Sequence, residues 1–201
     1  LAVNARQRRT RVSACEFLHV SLLFLLGKSA TQTQEKSFIS LYKQMFPAVV
    51  KLAGDEDQVI QNLFHPLLTQ TIHWLTRVGT SNRQRHEEAT CLLDCILEGL
   101  CDSENHLSRL ASAKHLQEYI KWCIKQSTSS KHQTSILDPI HNVKNVFKRL
   151  YSMWTHPSSV KRYAASLAFN HFYTIFREEE ILIDQYVLEV TVHAMQSLTI
   201  T

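Results

Sequence analysis

Apolar residues recur along this chain at spacings of three and four, in stretches long enough for several helical turns, separated by polar segments. Val12, Cys15, Leu18 and Leu22 share one face of a first predicted helix over about 6–26, with Gly27 as its C-terminal stop. A polar loop over 28–36 follows. A second helix over 37–53 holds Pro47, which predicts a kink, and Gly54 ends it. Asp55 with Gln58 three residues later predicts a capping box for a third helix. That helix carries Val59, Leu63, Leu67, Ile72 and Leu75 inward to about 78, and Pro66 should bend or break it.

A polar turn over 79–85 precedes a fourth helix over 86–101, with Leu92, Leu93, Ile96, Leu97 and Leu100 inward. Asp102 or Ser103 should cap the fifth, which runs to about 125 through Leu107, Leu110, Leu116 and Ile120. The stretch 126–135, rich in Ser, Thr, Lys and Gln, predicts a loop. Asp138-Pro139 is a strong start for a sixth helix, with Val143, Val146, Phe147 and Leu150 inward to about Trp154. Pro157-Ser158 opens a seventh, with Val160, Ala164, Leu167, Phe172 and Ile175. The acidic run 178–180 marks a corner before a last helix over 180–198.

The odd-numbered helices start near Arg6, Asp55, Ser103 and Ser158, about fifty residues apart. HEAT-type repeats have a period of roughly 40–47 residues. The expected fold is therefore all-α: a HEAT-like α-solenoid of about four antiparallel helix pairs, with a plain helical bundle as the alternative. Residues 1–201 read as one helical-repeat segment of a larger array. The first stretch already resembles a helix interior, and Val187, Val190 and Ile200 read as an end cut from a longer stack.

Composition narrows this. The 201 residues include only 4 Gly and 4 Pro, too few for the many turns of a sheet protein. A 44% hydrophobic content excludes a disordered chain. The net charge of +4 permits a nucleic-acid partner without requiring one. Five Cys read as reduced, buried thiols. The longest apolar run, Leu22 to Leu26, is short of the roughly 20 residues of a membrane span, so no membrane partner is expected.

Each candidate chemistry fails on spacing. Gly27-Lys28-Ser29 resembles the end of a P-loop, but Leu22 stands where its first Gly belongs. Cys91, Cys95 and Cys101, with His86 and His106, lack paired CxxC spacing for zinc; core thiols are the expectation. The eleven His include His65 and His73 on one predicted helix, with no nucleophile and oriented base beside them. No catalytic, cofactor or metal residue is assigned, and a cysteine hydrolase is the remotest reading. Arg6, Arg8, Arg9 and Arg11 form the densest basic run, a solvated face or a contact for phosphate or an acidic partner. A weaker patch holds Lys144, Lys148, Arg149, Lys161 and Arg162. Thr31 and Thr33 each precede a Gln in a polar linker.

Several strings carry a family resemblance. They include Asn145-Val-Phe-Lys-Arg-Leu-Tyr-Ser-Met-Trp154, His156-Pro-Ser-Ser-Val-Lys-Arg-Tyr-Ala-Ala-Ser-Leu-Ala-Phe-Asn170 and Phe176-Arg-Glu-Glu-Glu180. Ala14-Cys-Glu-Phe-Leu-His19, Leu26-Gly-Lys-Ser-Ala-Thr-Gln32, Ile72-His-Trp74 and Ile124-Lys-Gln126 extend them in order. Together they closely resemble the helical-repeat region of the phosphatidylinositol-3-kinase-related kinases of the DNA-dependent kind. The resemblance implies a scaffold segment of a nuclear serine/threonine kinase that repairs double-strand breaks by non-homologous end joining. It implies no catalytic residue here, with ATP and magnesium held elsewhere in the parent. Implied partners are the neighbouring helical repeats and, through the parent complex, the Ku heterodimer and DNA ends. The family modifies Ser or Thr followed by Gln, which makes Thr31 and Thr33 candidate autophosphorylation sites. A stand-alone HEAT-type adaptor for peptides or cargo is the competing reading.

Overall fold

A computed structural model describes residues 1–31, 38–77, 83–129 and 139–200. Among them the chain forms eight α-helices and no strand: α1 (Arg8–Thr31), α2 (Ile39–Ala53), α3 (Gln58–Leu75), α4 (Arg83–Leu100), α5 (His106–Ser129), α6 (Pro139–Trp154), α7 (Ser159–Glu178) and α8 (Glu180–Thr199). Helical spacing explains each. In α2, Tyr42, Phe46, Val49, Val50 and Ala53 form one buried stripe, and Tyr42 stacks on Phe46 with centroids 4.8 Å apart.

The helices stack in two layers. α1, α3, α5 and α7 pack in succession; α2 packs on α4 and α6 on α8; α2 also reaches α5, and α4 reaches α7. One continuous core runs from Cys15 to Val190. The connections set the frame of the pairs. Those between α2 and α3 (54–57), α4 and α5 (101–105), α6 and α7 (155–158) and α7 and α8 (179) are short, whereas those at 32–38, 76–82 and 130–138 are longer. Short turns thus close the pairs α2/α3, α4/α5 and α6/α7, α8 follows α7 after the single residue Glu179, and α1 stands at the other end. The expected stacking of helix pairs is present, with short turns after α2, α4, α6 and α7, and α1 packs on α3 rather than on α2.

The second helix of each pair buries the same positions. The seventh residues, Phe64, Ser112 and Ala165, are buried, as are the tenth, Leu67, His115 and Ala168. So are the fourteenth, Thr71, Tyr119 and Phe172, and the eighteenth, Leu75, Cys123 and Phe176. The second residues, Val59, Leu107 and Val160, are all exposed. This corrects the expectation that those three point inward: at the first turn the buried face has rotated onto residues such as Ile60.

Small residues let the layers approach closely. A Cβ on Gly54 would lie 2.7 Å from Ser108 Cα, and one on Gly99 would lie 2.3 Å from Ser112 Oγ and 3.0 Å from Val50 Cγ1. Gly54 has φ −108°, so space rather than conformation selects glycine there.

Other boundaries differ from expectation for local reasons. α1 continues through Gly27 to Thr31, taking in part of the expected loop; a mid-helix Gly costs about 1 kcal/mol but stops nothing unless the chain turns there. The residues 32–36 of that loop lie outside the described ones. The N-cap of α3 is Asp57, not Asp55: its extended backbone (φ −75°, ψ 112°) lets Oδ1 accept from Val59 N at 3.0 Å. Asp55 instead ties the turn by accepting from Asp57 N at 2.8 Å.

Pro66 does not break α3, and Pro47 sits inside α2. Both prolines are exposed, as are Asn62 and Lys43 one turn before them, so water can serve the freed carbonyls. α4 begins at Arg83, inside the expected turn, of which 79–82 lie outside the described residues. Asp102 Oδ1 accepts from Glu104 N and Asn105 N, both at 3.0 Å, and Asn105 Oδ1 then accepts from Ser108 N at 3.0 Å to cap α5. α5 extends to Ser129, into the expected loop, and α6 starts at Pro139; Asp138 lies outside the described residues.

Candidate interaction surfaces

The basic run at the start of α1 divides in two. Arg8 Nε donates to Asp57 Oδ2 at 2.7 Å and its Nη2 to Oδ1 at 3.2 Å; Arg11 pairs with Asp55. Arg8 thereby holds the Asp57 carboxyl below its usual range, against the opposing effect of desolvation. These two arginines fasten α1 to the turn before α3. Arg6 and Arg9 are exposed. Thr31 is the last residue of α1, and Thr33 lies outside the described residues. In the second basic patch Arg149 Nε donates to Asp94 Oδ1 at 2.7 Å, and Arg162 Nη2 donates to the Ile200 carbonyl at 3.1 Å.

The two flanking helices carry apolar outer faces. On α1, Cys15, Leu22 and Leu25 are buried, while Phe17, Val20 and Phe24 form an exposed stripe on the opposite side, with Phe17 76% exposed. By length and composition Arg8–Lys28 is apolar enough to cross a bilayer, which corrects the shorter apolar run read from 22–26. On α8, Leu182, Tyr186 and Val190 are buried, while Ile181, Leu188, Val192, Met195 and Leu198 are exposed. Beside them a cleft of about 530 Å³ opens between α7 and α8, lined by Phe169, Tyr173, Met195 and Leu198 among others. Contiguous apolar surface of this kind marks an interface.

A third surface lies across α3 and α5. A cleft of about 490 Å³ is lined by Gln61, Asn62, His65, Leu107, Leu110 and Lys114, among others. Behind it the buried His115 ring sits 4.6 Å from that of His65, and its Nε2 has no hydrogen-bond partner. Burial, then His65 and Lys114, push the His115 imidazole down to about 3. Further along the same helices His73 Nε2 lies 2.7 Å from Glu118 Oε1, and its ring stacks on Trp122 at 3.9 Å. Sequence reasoning singled out His65 and His73 and missed His115. Its signal was available, because it continues the spacing of Ser108, Ala111 and Tyr119 along the inward face of α5.

Burial raises the thiols of Cys91 and Cys101 and pushes that of Cys95 up to about 12, so none offers a thiolate near neutral pH. Among the described residues no three His, Cys, Asp or Glu side chains converge as metal ligands would.

Comparison with known proteins gives one consistent family. Residues 36–201 match the family model described as DNA-dependent protein kinase catalytic subunit, CC1/2. The chain is 42% identical over 204 residues to the DNA-dependent protein kinase catalytic subunit of Mus musculus. It is 38% identical over 205 residues to that of Gallus gallus, and 35% over 202 residues to that of Dictyostelium discoideum. In each case the whole chain is covered, yet it spans only 4–5% of the relative. The matched portion is a helical segment, not the kinase domain.

Proposed function

The chain belongs to the family of DNA-dependent protein kinase catalytic subunits, and on that premise we propose that it is a non-catalytic segment of the parent's helical-repeat cradle. In this reading the parent is a nuclear serine/threonine kinase of double-strand break repair by non-homologous end joining. ATP and magnesium belong to its kinase domain, outside this segment, and DNA ends and Ku engage the parent complex. The observation that carries the reading is the full-length match to about one-twentieth of each relative. The outer faces of α1 and α8 then receive the neighbouring repeats of the same chain, not a membrane.

The segment's work is mechanical. Each helix pair touches only its neighbours, so small rotations at successive seams add up to a change in curvature. Such a stack can transmit occupancy at one end of a cradle to a distant domain. Within it Arg8 and Arg11 are fasteners, whereas Arg6 and Arg9 are the cations open to phosphate or an acidic partner. Thr31 and Thr33, each followed by Gln, are proposed autophosphorylation sites; mass spectrometry of the activated parent finding neither modified excludes them. The adaptor reading is less favoured, because a solenoid that ends at α1 and α8 requires polar outer faces there.

The test uses the parent kinase. Leu188→Lys with Met195→Lys, placed on the outer face of α8, should lower DNA-stimulated phosphorylation while leaving the KM for ATP unchanged. Arg6→Glu with Arg9→Glu reads the basic contact in the same assay. Full stimulation in the α8 variant would exclude the scaffold role, and full stimulation in the arginine variant would exclude the contact.

A further inference from the structure

The cleft between the N-terminal halves of α3 and α5 combines two kinds of lining. One side is apolar, formed by Leu107, Leu110 and Pro66, with Leu107 41% exposed at the rim. The other presents donors. Gln58 Nε2 donates to Gln61 Oε1 at 2.9 Å and to Asn62 Oδ1 at 2.8 Å, which engages both carboxamide oxygens and leaves their NH2 groups as the donors at this side. Lys114 completes this side and makes no ion pair with any described carboxylate. Among the described residues no carboxylate lines the cleft.

His65 lines the cleft with the buried His115 behind it, and the Lys114 charge is felt at His115 and, across the seam to α7, at His171. In both histidines burial is the larger cause and the Lys114 charge adds to it. A lining of one Lys and two carboxamides, with no carboxylate among its described residues, is complementary to an anion. The apolar side distinguishes among anions: a nucleic-acid backbone has nothing to seat on Leu107 and Leu110, whereas a peptide pairing carboxylates with aliphatic side chains fills both halves.

We propose that this cleft binds an acidic peptide segment, its carboxylate held by Lys114 Nζ and the carboxamide N–H groups of Gln61 and Asn62, its aliphatic side chain seated on Leu107 and Leu110. This surface is separate from the α1 and α8 faces assigned to neighbouring repeats.

The test is fluorescence anisotropy on the full chain with a labelled, blocked Glu-Leu-Glu-Glu-Leu peptide. Its Gln-Leu-Gln-Gln-Leu counterpart is the control, and a short DNA duplex is the competitor at equal salt. The acidic peptide should bind at least about tenfold more tightly than the neutral one. Lys114→Glu should remove that preference; Lys114 is exposed, so the fold is retained, and circular dichroism checks it. Asn62→Asp, at a second exposed position, should weaken binding in the same direction. Titration should also move the His115 ring signals in a nuclear magnetic resonance spectrum. Equal affinity for the neutral peptide, or full binding by Lys114→Glu, overturns the proposal. Displacement of the peptide by DNA at lower concentration than by unlabelled peptide overturns it in favour of a phosphate site.

Discussion

α5 and α8 are both long helices, yet they meet their surroundings differently. α5 packs on α2, α3, α4, α6 and α7, and among its described residues the one large exposed apolar side chain is Leu107. α8 packs chiefly on α6 and α7, buries Leu182, Tyr186 and Val190, and exposes a longer apolar row from Ile181 to Leu198. α5 is served on most sides by small or polar residues that fit close neighbours: Ser108 and Ala111 against Gly54, Ser112 against Gly99, His115 beside His65. α8 instead carries apolar residues around much of its circumference. The difference teaches that burial in a stack depends on how many neighbours a helix has, not on how apolar it is.

The largest expected effect breaks the seam that holds α8. Phe147 stacks on Tyr186 of α8 at 4.2 Å and meets Phe172 and Phe176 of α7 at 5.9 Å. Phe147→Ala should cost about 3–5 kcal/mol, read from the shift of a urea unfolding curve. α8 should lose hydrogen-exchange protection before α5 does. Simultaneous loss in both helices would mean that the two regions unfold as one unit.

The next effect belongs to α5 alone. His115 is 1% exposed and its folded imidazole lies at about 3, below the ordinary 6.5. The unfolded state therefore binds the extra proton first. Stability is full above about pH 6.5 and falls as pH drops toward 3, by at most about 5 kcal/mol. Between pH 6.5 and 5, where few carboxylates titrate, His115→Leu should flatten the decline. An unchanged slope in that variant would show that His115 is hydrated in solution.

Glycines give a smaller, two-signed effect. Gly54→Ala places a methyl against the Ser108 backbone of α5 and should destabilise by about 1–3 kcal/mol. Gly27→Ala, in open space within α1, should stabilise by up to about 1 kcal/mol. Both are read from thermal midpoints, and equal shifts would mean that the close seam at Gly54 relaxes at no cost.

The helices were legible from their spacing, and several ends from Pro139, the acidic corner at 178–180 and the short turns. The repeat was legible only as a period. Its equivalent positions hold Leu67, His115 and Ala168, or Phe64, Ser112 and Ala165, which share burial but no side-chain chemistry. No comparison of residue types aligns them. The pair frame was hidden for another reason: it depends on which connections are short, and Gly27 and Asp55 misplaced two of the boundaries. The α3/α5 cleft was not legible, because Lys114 and Gln61 converge only through packing. Likewise the ion pairs of Arg8 and Arg11 join residues more than forty positions apart.

The smallest effect in this chain is the most informative about α8. Leu188 is 80% exposed, so Leu188→Ser removes almost no buried area and should change stability by less than about 0.5 kcal/mol. In a chain extended beyond residue 201 by the next stretch of the parent, the same substitution should cost about 1.5–3 kcal/mol, the transfer free energy of a leucine then buried. The contrast between the two lengths is the measurement, because it separates an outer face that meets solvent from one completed by the following repeat. A cost that stays negligible in the longer chain would leave Leu188 solvent-facing there, and the apolar face of α8 would then belong to a separate partner.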